Sequence, residues 1–194
     1  MTLVLGHGAG AGQQHPWIRR VAAGLEQRGI PVVTFDFPYI AAKRKVPDPP
    51  AVLEQAVRDV WASASRDHEG RMFAGGKSMG GRIASQVAAD GGFAPAPAGL
   101  VFFGYPLHPP GKPAQRRDAH LPRVRVPMLF LHGTRDAFGS PDEMRNLVAS
   151  LPDATLELIA GGDHSLARPK GQDPKGESLE HAMDVAAKWM KART

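Results

Sequence analysis

The chain has 194 residues, of which 42% are hydrophobic and 22% charged, enough for one domain over residues 1–194 with a sizeable core. It contains no cysteine, so disulfides, thiolate metal sites and a cysteine nucleophile are excluded. Its formal charge of +5 is scattered in small groups without interleaved aromatic side chains, which fits a solvated surface, or else attraction of acidic substrates to a nearby pocket, and argues against a nucleic-acid partner.

The first strand is expected at Thr2 to Gly8, in "MTLVLGHGAG". No basic residue precedes this apolar run, so it does not read as a signal peptide. No apolar stretch approaches the ~20 residues that span a bilayer, so no membrane partner is expected and the protein reads as cytoplasmic. The "GHGAGAG" that follows offers a backbone N–H, at Ala9, to a developing oxyanion. A rival reading takes Gly6, Gly8 and Ala11 as the G-x-G-x-x-A of a dinucleotide fold, with Asp36 as its ribose-binding acid. Against it, the stripe Trp17, Val21 and Leu25 marks a helix that begins near Pro16, too late for Ala11 to pack within its first turn.

A second strand is expected at Pro31 to Phe37. The basic, proline-rich loop "YIAAKRKVPDPP" comes next, and from it Tyr39 is expected to wall a binding cleft. Leu53, Val57 and Val60 mark the next helix.

The stretch "RMFAGGKSMGGRIA" admits two chemistries at Ser78. A P-loop needs G-x-x-x-x-G-K-S, but Arg71 stands where its first glycine belongs, and Met72 to Ala74 are strand-like. The G-x-S-x-G elbow accounts for every residue: a strand, a tight turn with Ser78 at its apex, and a helix that carries Ile83, Val87 and Ala88. Gly76, Gly80 and Gly81 then supply room at the turn, and Met79 offers a second oxyanion N–H at the helix start. Lys77 is expected to pack beneath the turn.

Further strands are expected at Gly99 to Tyr105, Pro127 to Gly133 and Thr155 to Gly161. The first is followed by the proline-rich loop "YPLHPPGKPAQRRDAHLP", whose Tyr105 and His108 are expected to line the cleft; His120, in the same loop, is a further candidate to line a pocket. The second is followed by Asp136 and then by a helix opened by Ser140 and Pro141. The third is followed by His164, and Leu179, Met183, Ala186 and Met190 line a closing helix. A serine hydroxyl needs a base, and the base an orienting acid, so Ser78, His164 and Asp136 are the candidate triad. Asp163 and Asp142 are rival acids, but Asp163 adjoins His164 in sequence and cannot readily reach its ring. No H-E-x-x-H or comparable spacing occurs, so neither a metal nor another cofactor is expected. Alternating strands and helices argue for a mostly parallel sheet of about six strands with helices on both faces, and no insertion is large enough for a lid.

"GHGAGAG", "FDFPY", "GGKSMGGRIAS", "FFGYPLHPPGKP", "HGTRDAFG" and "GGDHSL" together resemble the small α/β-hydrolase-like family of testis-expressed protein thirty. That family includes the third subunit of the NSL complex and short, dienelactone-hydrolase-like bacterial proteins. The resemblance implies a minimal α/β-hydrolase fold with Ser78 as nucleophile, Asp136 as acid and His164 as base. The chain starts at the strand that is third in the full fold, so the leading hairpin is expected to be missing or reduced. The expected function is a serine hydrolase acting on a small-molecule acyl substrate, an ester or thioester. An interaction module with incidental chemistry is the alternative. No signal for an oligomeric state is present.

Overall fold

The computed structural model describes residues 1–193. Six strands, β1 (Thr2–Gly6), β2 (Val32–Thr34), β3 (Met72–Lys77), β4 (Leu100–Phe103), β5 (Met128–Gly133) and β6 (Ala154–Ile159), form one sheet in the order β2-β1-β3-β4-β5-β6. Every neighbouring pair is parallel. Six α-helices flank the sheet among the described residues: α1 (Pro16–Gln27), α2 (Pro38–Ala41), α3 (Pro50–Asp67), α4 (Met79–Ala89), α5 (Pro141–Ala149) and α6 (Glu177–Lys191). This is the α/β-hydrolase arrangement, reduced to six strands.

The strands are apolar throughout because both sheet faces are covered. Leu100 and Phe102 of β4 point to one face, where they meet Leu53, Val57 and Trp61 of α3, Ile83 and Val87 of α4, and Met144 of α5. Val101 and Phe103 point to the other, against Ile18, Val21 and Leu25 of α1 and Leu179, Met183 and Met190 of α6. The period of two within one strand therefore serves two cores at once. Removing either aromatic ring of β4 costs about 3–5 kcal/mol by the usual cavity penalty.

Helix starts follow local chemistry. Proline opens α1, α2, α3 and α5, where a missing N–H leaves no bond unmade. At α5, Ser140 and Glu143 form a reciprocal capping box. Strand β2 is shorter than the expected run to Phe37. Its ladder ends at the Leu5–Thr34 pair, and Phe35 and Phe37 turn into the core. Among the described residues no helix is long and apolar enough to cross a membrane.

Candidate active site

The parallel sheet aims the carboxyl ends of β1, β3, β5 and β6 at one edge, and the candidate residues stand on the loops that leave them. Between β3 and α4 the chain reverses at Ser78, whose φ of 51° and ψ of −116° lie in a region a non-glycine residue enters only at a cost of about 1–3 kcal/mol. Two glycines allow it. A Cβ on Gly76 would stand 2.5 Å from the Gly6 carbonyl oxygen, and one on Gly80 would stand 2.4 Å from the same atom, so β1, β3 and α4 can close only on bare backbone. Continuous strand from Met72 to Lys77 and a helix from Met79 are an elbow and not an anion-cradling loop. Met79 is the first residue of α4, where an N–H has no intrahelical acceptor.

His164 Nε2 lies 2.8 Å from Ser78 Oγ, and His164 Nδ1 lies 2.8 Å from Asp136 Oδ2. The three residues are distant in sequence and form one hydrogen-bonded line. The Asp136 side chain is fully buried, while that of His164 is 22% exposed, which leaves the imidazole reachable from solvent. Burial alone would raise the Asp136 carboxyl. The hydrogen bond and charge of His164 and the Phe138 N–H at 2.8 Å outweigh it, and hold the group below its ordinary value.

The two loops are bound to each other. Thr134 N–H donates to the Ile159 carbonyl, Arg135 N–H to that of Gly162, and Gly161 N–H to Thr134 Oγ1. Phe138 stacks on the His164 ring at 4.1 Å between centroids. Trp17 Nε1 donates to the Ser165 carbonyl at 2.9 Å, and Lys77 Nζ donates to the carbonyl of His164 itself. Lys77 thus borders the cavity and steadies the histidine loop, where packing beneath the turn was expected. Burial, outweighing the pull of Asp136 and Asp163, brings its pKa down to about 8.

The rival acids have other work. Asp163 Oδ1 accepts the N–H groups of Ser165 and Ala167 and shapes the turn after His164, and Asp142 pairs with Arg145 on α5. Asp36 accepts the backbone and side-chain N–H groups of Gln13, so it holds the loop before α1 and is committed within the chain, unlike a ribose-binding acid. His7 is buried and donates through Nδ1 to the Gly8 carbonyl while Nε2 accepts the Phe37 N–H, which sets the course of the loop carrying Ala9.

A cavity of about 640 Å³ opens over Ser78, Met79 and His164, with Ala9 on its rim. Its walls include Trp17, Leu53, Phe138, Arg82 and Arg117. The three residues expected to wall the cleft do not line it. Tyr39 is wholly buried in the core beneath α3. Tyr105 packs against Phe102 and Phe130 and donates its hydroxyl to the Arg117 carbonyl, 2.8 Å away. His108 is buried and joins its loop to α5, with Nδ1 on the Pro109 carbonyl and Nε2 3.3 Å from Glu143 Oε2. For the two tyrosines the reason is shared: a large ring finds more apolar area in the core than at the rim, whereas His108 is drawn inward by its polar partners.

A second serine–histidine contact, Ser85 Oγ to His120 Nε2 at 2.7 Å, has no nucleophilic character. Ser85 is wholly buried and its hydroxyl donates to the Arg82 carbonyl. Burial, reinforced by Arg82 and Arg123, lowers the His120 pKa to about 4, so this ring is a neutral strut between its loop and α4. His120 therefore does not line the cavity either. Among the described residues no group of three or more His, Cys, Asp and Glu side chains is arranged to hold a metal.

The family described as alpha/beta hydrolase domain matches residues 1–191. Est1E from Butyrivibrio proteoclasticus, solved with ferulic acid bound, superposes with a TM-score of 0.76 at 14% identity, covering 99% of this chain and 88% of that one. An α-β serine hydrolase homologue from Coxiella burnetii gives 0.73 at 16% identity over 94% and 83% of the two chains. A dienelactone hydrolase from Anabaena variabilis gives 0.72 at 19% identity over 98% and 85%. At these identities the likeness is one of fold. The polyketide synthase ThaQ of Burkholderia thailandensis is 41% identical over 54 residues, which are 28% of this chain and only 3% of that protein.

Proposed function

The chain belongs to the alpha/beta hydrolase domain family, and from that premise we propose that it is a serine hydrolase that cleaves an ester or thioester of a small-molecule acyl substrate through an acyl-enzyme. The observation that carries the reading is the pair of 2.8 Å contacts made by one imidazole, to the Ser78 hydroxyl and to the Asp136 carboxylate. His164 takes the Ser78 proton as Oγ attacks the acyl carbon, and then delivers it to the departing alkoxide or thiolate. Asp136 holds the ring with Nδ1–H toward itself and stabilises the imidazolium. The N–H groups of Ala9 and Met79 receive the oxyanion, and the loss of one such donor typically costs 10²–10³-fold in kcat. Water, activated by the same His164, attacks the acyl-enzyme and returns Ser78 to its starting state.

Within the family, the motifs quoted above favour kinship with the group of testis-expressed protein thirty and its short bacterial members. The reading is tested with a fluorophosphonate probe. Stoichiometric labelling of Ser78, lost in His164→Ala, together with ester hydrolysis abolished in Ser78→Ala, is the expected result. Absence of labelling in the folded wild type overturns it in favour of an interaction module.

A further inference from the structure

We infer that the acyl group accepted at Ser78 carries a carboxylate at its far end, held by Arg82 and Arg117. This rests on the serine-hydrolase reading for the chemistry, and on the charges of the cavity wall for the specificity.

Arg82 and Arg117 both line the cavity that contains Ser78 and His164. Several arginines of this molecule find a carboxylate, as Arg28, Arg58 and Arg116 do. These two have none within 4 Å among the described residues. The side chain of Arg82 has one long hydrogen bond, to Gln86 Oε1 at 3.4 Å, and its Nε is buried without an acceptor. Burial and the nearby charge of Arg117 both act against its protonated form. Two partly desolvated cations near each other, with the longer-range pull of Glu54 but no carboxylate in contact, are unfavourable unless an anion occupies the space they face.

The presentation of both groups is built in. Arg82 lies four residues after Ser78 on α4, one turn along the helix, and so shares its face. Arg117 is clamped at both ends of its backbone: its N–H donates to the Leu107 carbonyl at 2.8 Å, and its carbonyl accepts the Tyr105 hydroxyl. A buried tyrosine thereby sets the position of a cavity arginine. The one acid on the wall, Asp48, pairs with Arg44 at 2.7 Å through Oδ1, while its buried Oδ2 has no hydrogen-bond partner. The guanidinium fork matches a carboxylate in two parallel hydrogen bonds. One helical turn, about 5.4 Å of rise, separates the Ser78 and Arg82 positions along α4, a spacing that a glutaryl-length acyl chain spans.

The test compares 4-nitrophenyl hydrogen glutarate with its methyl-capped diester, equal in acyl length and lacking the charge. Wild type is expected to prefer the free carboxylate by about tenfold or more in kcat/KM. Arg82→Gln and Arg117→Gln are each expected to reduce that preference about tenfold, and added salt to weaken it. A preference that stays within about twofold of wild type in both folded variants overturns the inference, as does a wild-type preference for the capped ester. Calorimetric titration with monomethyl glutarate in a Ser78→Ala background reads the anion site without chemistry and is expected to show binding weakened when Arg117→Gln is added. Binding without turnover of either ester overturns the hydrolase reading and keeps the anion site; turnover of the capped ester without an arginine-dependent preference does the reverse. Tighter binding of inorganic phosphate than of monomethyl glutarate overturns the assignment to a carboxylate.

Discussion

Nδ1 of His132 lies 3.6 Å from Oδ2 of Asp136, the same carboxylate oxygen that meets His164 at 2.8 Å. His132 is wholly buried, and its Nε2–H donates to the Gly139 carbonyl at 2.8 Å. Its Nδ1 has no hydrogen-bond partner, so a neutral ring turns a lone pair toward the carboxylate. Burial pushes the ring's pKa down against the pull of Asp136, which keeps it neutral. His132 therefore backs Asp136 by shape, and fixes the turn that leads into α5.

Replacing His132 with phenylalanine keeps a ring in that space and deletes the bond to Gly139. The carbonyl left without a donor is expected to cost about 1–3 kcal/mol, read from denaturant unfolding. Because Asp136 orients the base, kcat on an ester substrate is expected to fall about ten- to a hundredfold while KM changes little. An unaltered kcat in a folded variant removes His132 from the support of the site.

The buried histidines make the fold acid-sensitive. His120 is held at about 4 against an ordinary 6.5, by burial first and then by Arg82 and Arg123; His7 is lowered as well, chiefly by burial. A folded-state value below the unfolded one means that the unfolded chain takes up these protons first. The stabilisation is then complete above pH 6.5 and is lost progressively as pH falls toward 4. Thermal unfolding across that range is expected to show a falling Tm, with a shallower fall in His120→Asn. A slope identical to wild type in that variant excludes His120 as a contributor.

Lys77 acts at the opposite end of the pH scale. Its folded-state value of about 8 lies below the ordinary 10.5, so folding releases its proton and stability rises with pH between those values. Lys77→Met is expected to flatten this rise. Below pH 8 the variant also loses the donor to the His164 carbonyl, and a decrease in kcat of about tenfold is expected as the histidine loop loosens. Parallel Tm and kcat profiles of the two proteins decide both points.

The elbow, the acid and the base are legible because each is written locally: glycines flanking Ser78 between a strand and a helix, and single polar residues just past apolar strands. The cleft wall is not written locally. Tyr39, Tyr105 and His108 sit in loops of the right kind, yet the core takes all three. The side chains that border the cavity belong to elements with other evident roles. Trp17 heads a core stripe, Arg82 extends an amphipathic helix, and Arg117 lies in a basic run. Only the position of Arg82, one turn beyond Ser78, offered a clue in the chain itself. The length of β2 was likewise a matter of its neighbour, since its pairing with β1 covers only Leu3 to Leu5.

Two successive carbonyls, those of His164 and Ser165, are gripped by Lys77 and Trp17, whose ammonium and indole ring lie 5.6 Å apart. The segment bearing the imidazole is thus moored to parts of the chain made 87 and 148 residues earlier. A graft that exchanges residues 160–170 for those of another hydrolase must carry a compatible tryptophan and lysine with it, or the transplanted histidine will arrive without its anchorage.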